Sequence, residues 1–403
     1  KQPMMDNSGD IIISFNGEIY NFQELKKELQ LDYQFKTTTD TEVILAGYQK
    51  WGIKVVDRLK GMFAFSLLDR KKHKLYLVRD RFGIKPLYYT IQDSKLLFAS
   101  ELKAIHSIGV VEKEIDFSSF SDYFVYRYIP SPKTIWKNIK KLPPANIAEI
   151  DITTLNIELT EYWSLKFENS SDSKSIEKVD NFLFDSVKQQ SYADVPIGSF
   201  LSGGYDSSAL VYYMTQLGQK PNTFSIGFSK WKKSEDQFAK IVAEHLGVSN
   251  ESIIADEQSL KLVDLMPDVY DEPIADISIV PTYMVSKLAR TQVKAVVSGE
   301  GADELFGGYT WQHDFFNKAY PNSLIGKIKQ KLNNNDNKEN LMFENYWRNM
   351  IEYNKNKLNN NFKPKEISLG DEIITINSNL CNLSYDHFSK SYSKGVKLFL
   401  YFN

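Results

Sequence analysis

Phe200-Leu201-Ser202-Gly203-Gly204-Tyr205-Asp206-Ser207-Ser208 ends an apolar run that starts at Val195 and opens a helical pattern over residues 209–217. The order is strand, small-residue loop, helix. Gly203 and Gly204 remove β-carbons where the backbone has to turn tightly and bring its N–H groups close to an anion. Ser202, Ser207 and Ser208 add hydroxyl donors beside the positive end of the helix. The natural guest of such a loop is a phosphate. It is not a P-loop, since no Gly-Lys-Ser/Thr follows, and no third glycine falls at the dinucleotide-binding spacing.

A second loop of the same kind, Ser298-Gly299-Glu300-Gly301-Ala302-Asp303-Glu304-Leu305-Phe306-Gly307-Gly308-Tyr309, follows the apolar run 293–297. In an open α/β sheet the carboxyl ends of neighbouring strands meet at a ligand crevice, so both loops are expected to face one nucleotide. Outward from these loops the pattern alternates: helix 176–190, strand 195–201, helix to 217, strand 223–228, helix 234–246, strand 251–254, helix 259–269. Such a βαβ series predicts a parallel sheet.

The chain before residue 165 reads differently. Strand 10–15 runs into Asn16-Gly17-Glu18-Ile19-Tyr20-Asn21, where Asn-Gly is also a hairpin-turn signal. A helix with Phe22, Leu25 and Leu29 on one face follows, with Glu24 three residues after a candidate cap, Asn21. A second helix, 41–51, stops at Gly52. Short β-rich runs at 62–68, 74–79, 86–90 and 95–99 then suggest an antiparallel sheet, so this part is α+β. Residues 116–127 are helical in pattern up to Pro130-Ser131-Pro132, and the Ser/Asp/Lys stretch 168–175 is the expected linker.

With 403 residues the chain is long enough for two domains, each with its own core. Forty-nine basic and 51 acidic residues give a net charge of −2 and no basic stripe, which argues against a nucleic-acid partner. One cysteine, Cys381, excludes an internal disulfide framework and fits a reducing compartment. No apolar run approaches the ~20 residues of a membrane helix, so the cytoplasm is the expected location.

Ser-Gly-Gly-x-Asp-Ser-Ser after a strand resembles the pyrophosphate loop of the N-type ATP pyrophosphatases, which split ATP between its α and β phosphates. Asn16-Gly17-Glu18-Ile19-Tyr20-Asn21, Thr39-Asp40-Thr41-Glu42, residues 79–89 (Arg-Asp-Arg-Phe-Gly-Ile-Lys-Pro-Leu-Tyr-Tyr) and Phe98-Ala99-Ser100-Glu101-Leu102-Lys103 resemble the class II glutamine amidotransferase domain. Together, in this order, they are similar to the glutamine-hydrolysing asparagine synthetases. The resemblance implies an αββα sandwich of the N-terminal nucleophile-hydrolase type over 1–165 and an α/β parallel-sheet ATP pyrophosphatase domain over 176–403.

The resemblance also implies roles. Asn16 and the Gly17 N–H would form an oxyanion hole, where one donor is worth roughly 2.7–4 kcal/mol. Glu18 and Asp40 would hold the ammonium and amide ends of glutamine. Leu201, Ser202, Gly203, Gly204, Asp206, Ser207, Ser208, Ile226, Ser298 and Gly299 would bind ATP, with Leu201 and Ile226 equally readable as core aliphatics. Asp206 and Asp303 would carry Mg²⁺, and Glu300 would sit at the acyl-adenylate as a catalytic residue. Asp271-Glu272-Pro273-Ile274-Ala275-Asp276 resembles the acceptor side of the synthetase domain; its acids also read as helix-boundary residues.

The implied reaction amidates a carboxylate, most simply aspartate, with ATP and glutamine-derived ammonia; a sugar acid or another carboxylate is the alternative acceptor. A homodimer is a further expectation. The family's glutaminase uses an N-terminal cysteine and carries an arginine for the glutamine carboxylate shortly before the match to Gln2-Pro3-Met4, and both would precede Lys1. The expectation is therefore a sequence that starts inside the family pattern, or a domain without glutaminase activity. The end at Asn403 likewise stops before a basic segment that helps to close the synthetase site in the family. After Tyr309 the Asn-rich breaks at 333–335 and 359–361 predict loops.

Overall fold

The computed structural model describes residues 2–166, 175–229, 234–310, 366–369 and 372–375. In chain order the first domain contains β1 (Met4–Met5), β2 (Ile11–Ile19), α1 (Phe22–Leu29), α2 (Asp40–Trp51), β3 (Gly61–Asp69), β4 (Lys74–Arg79), β5 (Tyr88–Gln92) and β6 (Lys95–Ala99). It continues with α3 (Leu102–Ser107), α4 (Phe117–Tyr126), β7 (Lys140–Lys141), β8 (Asn146–Asp151) and β9 (Ile157–Glu161). The expected antiparallel sheet is in fact two, a six-stranded one in the order β1-β2-β3-β4-β8-β9 and a three-stranded one in the order β6-β5-β7.

Side-chain alternation turns these sheets into layers. Phe63, Phe65 and Leu67 of β3, with Tyr76 and Val78 of β4, pack on the α1–α2 side together with Leu25, Leu29 and Val43. The residues between them, Ala64 and Leu77, face Leu87 and Tyr89 beside the second sheet. Tyr88, one residue from Tyr89, points the other way onto Leu102 and Ile105 of α3. The order is helices, sheet, sheet, helix: an αββα sandwich. Phe63, Phe65 and Leu67 are essentially fully buried, and each such side chain contributes about 1.5–3 kcal/mol relative to exposure.

Two local expectations are corrected. Asn16-Gly17 is not a hairpin turn: β2 runs straight through it, with Asn16 opposite Ala64 and Gly17 opposite Phe63. Asn21 makes no side-chain cap for α1. Its side chain instead donates to the Arg58 carbonyl and accepts from the Lys60 N–H, closing the approach to β3.

The second domain contains α5 (Ser175–Gln190), β10 (Ile197–Phe200), α6 (Tyr205–Gln216), β11 (Asn222–Phe228), α7 (Glu235–Leu246), β12 (Ser249–Ala255), α8 (Met266–Val269), α9 (Ile279–Ala289), β13 (Ala295–Val297) and α10 (Ala302–Phe306). The helix expected over 259–269 is a 3-10 stretch, Glu257–Leu265, before the short α8. The helix expected from residue 209 already starts at Tyr205. All pairings in the sheet β12-β11-β10-β13 are parallel.

Val211 of α6 and Ala239 and Ala243 of α7 pack together around Leu201. Val285 and Ala289 of α9 cover Phe224, and Met266 of α8 joins Val280 and Met284 of α9 in a third cluster. A short antiparallel pair, β14 (Glu366–Leu369) and β15 (Glu372–Thr375), lies near the end of the chain. The linker residues 168–174, both Asn-rich breaks, Cys381 and the C-terminal run lie outside the described residues. Among the described residues no helix is long and apolar enough to cross a membrane.

Candidate active sites

The chain runs from β10 to β11 and β12 on one side and returns to β13 on the other, so the strand order reverses between β10 and β13. At such a switch point the loops leaving the carboxyl ends of the two strands diverge and open a crevice. These are the loops quoted from the sequence. They touch: a β-carbon on Gly299 would lie 3.2 Å from Asp206 Cβ and 3.2 Å from the Ser207 nitrogen. Asp206, in the first turn of α6, and Asp303, in the first turn of α10, are brought within range of each other's charge. Burial first, and the Asp303 charge second, hold the Asp206 carboxyl above the usual carboxylate range.

Gly203 is required twice, by a φ of +81° and because a β-carbon would lie 2.5 Å from Phe238 Cβ on α7. Gly204 has an ordinary φ of −72°; a β-carbon there would meet only Ser202 Oγ, at 3.3 Å. The loop hydroxyls hold the turn: Ser202 Oγ and Ser207 Oγ are 3.0 Å apart, and the Gly204 N–H donates to Ser202 Oγ. Ser208 Oγ is buried with no hydrogen-bond partner. An orphaned hydroxyl under a glycine turn at a helix N-terminus fits a phosphate oxygen.

Among the described residues no group of three or more His, Cys, Asp or Glu is gathered. Two carboxylates, Asp206 and Asp303, are a sufficient protein share for Mg²⁺, which takes one or two carboxylates and completes its shell with phosphate oxygens and water. Leu201 is 1% exposed within the α6–α7 core, so it offers a ligand its backbone and not its side chain. Ile226, a partly buried residue of β11, packs at the meeting point of two clusters. Ser298 and Gly299 continue β13 into the crevice, and Glu300 is exposed between Gly299 and Gly301. Burial, Asp276 and Glu300 raise the Tyr270 phenol, which places Glu300 near that ring.

The other group of residues lies on β2 and α2. Gly17 is glycine because of close approach: a β-carbon would lie 2.2 Å from the Met62 carbonyl oxygen. Asn16 is exposed and donates an amide N–H to Ser100 Oγ at 3.1 Å, which fixes the amide plane and with it the direction of its second N–H. Asp40, at the start of α2, accepts the Ile19 N–H at 3.0 Å. Desolvation raises the Asp40 carboxyl. Desolvation and the Asp40 charge raise Glu18, against the pull of Lys85. Two acids held above their ordinary range beside two N–H donors suit a ligand with a cationic amine and a carbonyl.

Residues the sequence reading treated only as family signature hold this site together. Asp80 is 1% exposed and accepts four backbone N–H groups, from Phe63, Phe82, Ile84 and Lys85. Arg79 donates to the carbonyls of Lys85, Leu142 and Gly83. Glu42 accepts from the Lys36 and Thr37 N–H groups and the Thr37 hydroxyl, shaping the loop before Asp40. The available signal was an Asp-x-x-Gly turn at 80–83, since aspartate caps such turns through its own side chain. Asp271 and Glu272, placed on the acceptor side by the sequence reading, turn their carboxylates to the first domain: Asp271 accepts the Leu102 N–H and Glu272 pairs with Lys141.

An N-terminal nucleophile-hydrolase sandwich followed by a doubly wound nucleotide crevice defines a two-domain amidotransferase architecture. Residues 1–163 match the glutamine amidotransferase domain family, and residues 178–373 match the asparagine synthase family. The chain belongs to the glutamine-hydrolysing asparagine synthetase family. It is 39% identical over 316 residues to asparagine synthetase (glutamine-hydrolyzing) 1 of Bacillus subtilis (strain 168), covering 76% of this chain and 49% of that protein. Asparagine synthetase (glutamine-hydrolyzing) 3 of the same organism is 34% identical over 338 residues, covering 78% of this chain and 54% of its own length. A relative from Methanocaldococcus jannaschii is 41% identical over 307 residues, covering 74% of this chain and 59% of its own. The chain thus spans about half the length of the curated relatives it matches.

Proposed function

We propose that the complete protein converts aspartate to asparagine, using ATP and the amide nitrogen of glutamine, with a glutaminase domain over 1–165 and a synthetase domain over 176–403. The observation that carries this reading is the contact of the two loops at the switch point of the parallel sheet, Gly299 against Asp206 and Ser207, with Asp206 in the first turn of one helix and Asp303 in the first turn of the other.

A carboxylate has no leaving group at neutral pH, so its oxygen must first attack the α-phosphorus of ATP. That step forms an acyl-adenylate and releases pyrophosphate; ammonia then adds to the acyl carbon, and AMP leaves. Gly203, Gly204 and Ser208 would cradle the departing pyrophosphate, with Ser202 and Ser207 holding the turn. Asp206 and Asp303 would hold Mg²⁺, which neutralises charge building on the phosphate oxygens. Glu300 would face the acyl carbon and accept a proton from the attacking ammonia. In the first domain Asn16 and the Gly17 N–H would stabilise the tetrahedral oxyanion of the glutamine amide, while Glu18 and Asp40 hold its α-ammonium end.

The test supplies glutamine carrying heavy nitrogen in its amide, aspartate carrying heavy oxygen in its side-chain carboxylate, ATP and Mg²⁺. The heavy nitrogen should appear in the asparagine amide, and one heavy oxygen should appear in the AMP phosphate for each asparagine made. Formation of ADP instead of AMP would remove the adenylation step. Transfer to a sugar acid in preference to aspartate would keep the chemistry and change the acceptor.

A further inference from the structure

We propose that Asp271 and Glu272 are positioning residues that register the second domain against the glutaminase site and so couple the two half-reactions. The inference deepens the proposed function and rests on it for its kinetic part. The segment between α8 and α9 reaches across to the first domain through directional polar contacts. Asp271 Oδ2 accepts the Leu102 N–H at 2.5 Å, and Glu272 Oε1 accepts the Ile135 N–H at 2.8 Å. Glu272 Oε2 pairs with Lys141 Nζ at 2.5 Å, with only 12% and 14% of these side chains exposed. Lys141 Nζ also donates to the Ile129 carbonyl, the Ala275 N–H to the Arg127 carbonyl, and Lys103 Nζ to the Asp268 carbonyl.

Each end of this strap reaches a candidate site. Leu102 lies two residues from Ser100, whose hydroxyl takes the Asn16 amide N–H at 3.1 Å. Tyr270, next to Asp271, senses the charge of Glu300 in the second domain. An interface that only had to adhere would bury apolar area. A buried carboxylate costs several kcal/mol in desolvation, and burial does push Glu272 up and Lys141 down while their contact opposes both shifts. Carboxylates aimed at backbone N–H groups fix position instead, because a hydrogen bond weakens steeply with misalignment. A shift of the 270–272 segment is thereby passed to the Ser100–Leu102 turn and to Asn16.

The experiment uses the complete protein and the variants Asp271→Ala, Glu272→Ala and Glu272→Gln. Three quantities are measured: glutamate released without ATP, AMP formed from ammonium salts and aspartate, and glutamate released per AMP during glutamine-driven synthesis. Both alanine variants should keep the two separate half-reactions within about twofold of wild type. Their ratio of glutamate to AMP should rise by about fivefold or more, and Glu272→Gln, which still accepts the Ile135 N–H, should restore part of the coupling. An unchanged ratio in both alanine variants, or an equal loss of both half-reactions, overturns the proposal.

If the wild-type protein releases no glutamate and forms no AMP, the functional reading has failed, and hydrogen exchange decides the registration by itself. The Leu102 and Ile135 amides should lose protection in Asp271→Ala and Glu272→Ala respectively. Unaltered protection of both overturns it.

Discussion

Gly299 lies against Asp206: a β-carbon on the glycine would sit 3.2 Å from the aspartate's own β-carbon and 3.3 Å from its carbonyl carbon. The loops after β10 and β13 are therefore in contact through backbone, which has no rotamer with which to yield. Gly299→Ala should push them apart and displace Asp206 from Asp303, with an overpacking cost of about 1–3 kcal/mol. AMP formation should fall by roughly tenfold or more, since a displacement near 1 Å at a reacting centre is costly, while glutamate release is unaffected. Full adenylation activity in this variant would mean that the contact is slack.

The acid pair predicts how a metal should stabilise the protein. Asp206 is raised in the folded state, by burial and then by Asp303. A carboxyl whose folded pKa exceeds its unfolded value favours the fold below the unfolded pKa, and that contribution is lost as pH rises through the folded pKa. At neutral pH ionised Asp206 therefore strains the free protein, and a divalent cation relieves it. Mg²⁺ with ATP should raise Tm more at about pH 7.5 than at about pH 5, where protonation of Asp206 competes with the metal. Asp303→Asn should raise the Tm of the ligand-free protein at neutral pH and abolish the Mg²⁺ response, as read by calorimetry.

Glu18 and Asp40 give a second pH signature. Both are raised, Glu18 by desolvation and then Asp40, and Asp40 by desolvation. Only the ionised acids attract an α-ammonium, so the KM for glutamine in the complete protein should rise on acidification, starting above the pH where an ordinary carboxylate titrates. Glu18→Gln should raise KM at neutral pH and flatten that profile. By the same sign argument it should leave Tm at neutral pH equal or higher, since among the described residues no hydrogen bond to Glu18 opposes its raised pKa. A large loss of stability would make Glu18 a structural acid.

The fold was legible where the pattern is periodic. Runs 74–79 and 95–99 are strands with those same bounds, and the β10–α6–β11–α7–β12 alternation reads directly from apolar runs between turn signals. What local sequence could not show was long-range pairing. Asn16-Gly17 carries the hairpin-turn signal, yet it lies mid-strand, paired with β3, and position 17 is glycine because the Met62 carbonyl approaches it too closely for a side chain. Asp271 and Glu272 read as acceptor-side or helix-boundary acids, because their partners Leu102, Ile135 and Lys141 are more than a hundred positions away. The switch point itself, between β10 and β13, is a fact of strand order that no single loop contains.

Asp80 should matter to stability more than any candidate site residue. It is 1% exposed and satisfies four backbone N–H groups. Asp80→Ala leaves those donors without their acceptor in a place water cannot easily reach, and each buried orphan costs about 1–3 kcal/mol. The first domain should lose roughly 3 kcal/mol or more in denaturant unfolding, with glutamate release lost and ammonium-driven AMP formation kept. A midpoint close to wild type would show that water replaces the carboxylate at little cost.

Glu300 is the acid whose role separates chemistry from binding. It stands exposed between Gly299 and Gly301 in the loop after β13, three residues before Asp303. Its charge adds, after burial and Asp276, to the raised Tyr270 phenol. On the proposed mechanism Glu300 acts after adenylation, when ammonia adds to the acyl carbon and must shed a proton. Glu300→Gln keeps the shape and removes the base. The variant should bind ATP and exchange pyrophosphate into ATP, in the presence of aspartate, within about threefold of wild type, while asparagine formation from ammonium salts falls by about 10²-fold or more, the usual scale of general-base catalysis. The drop should appear in kcat with little change in the KM for ATP, because an interaction made only in the transition state lowers kcat and kcat/KM alike. Equal loss of pyrophosphate exchange and of asparagine formation would instead make Glu300 part of the loop's support for the nucleotide, and loss of neither would leave the ammonia step without a base from this loop.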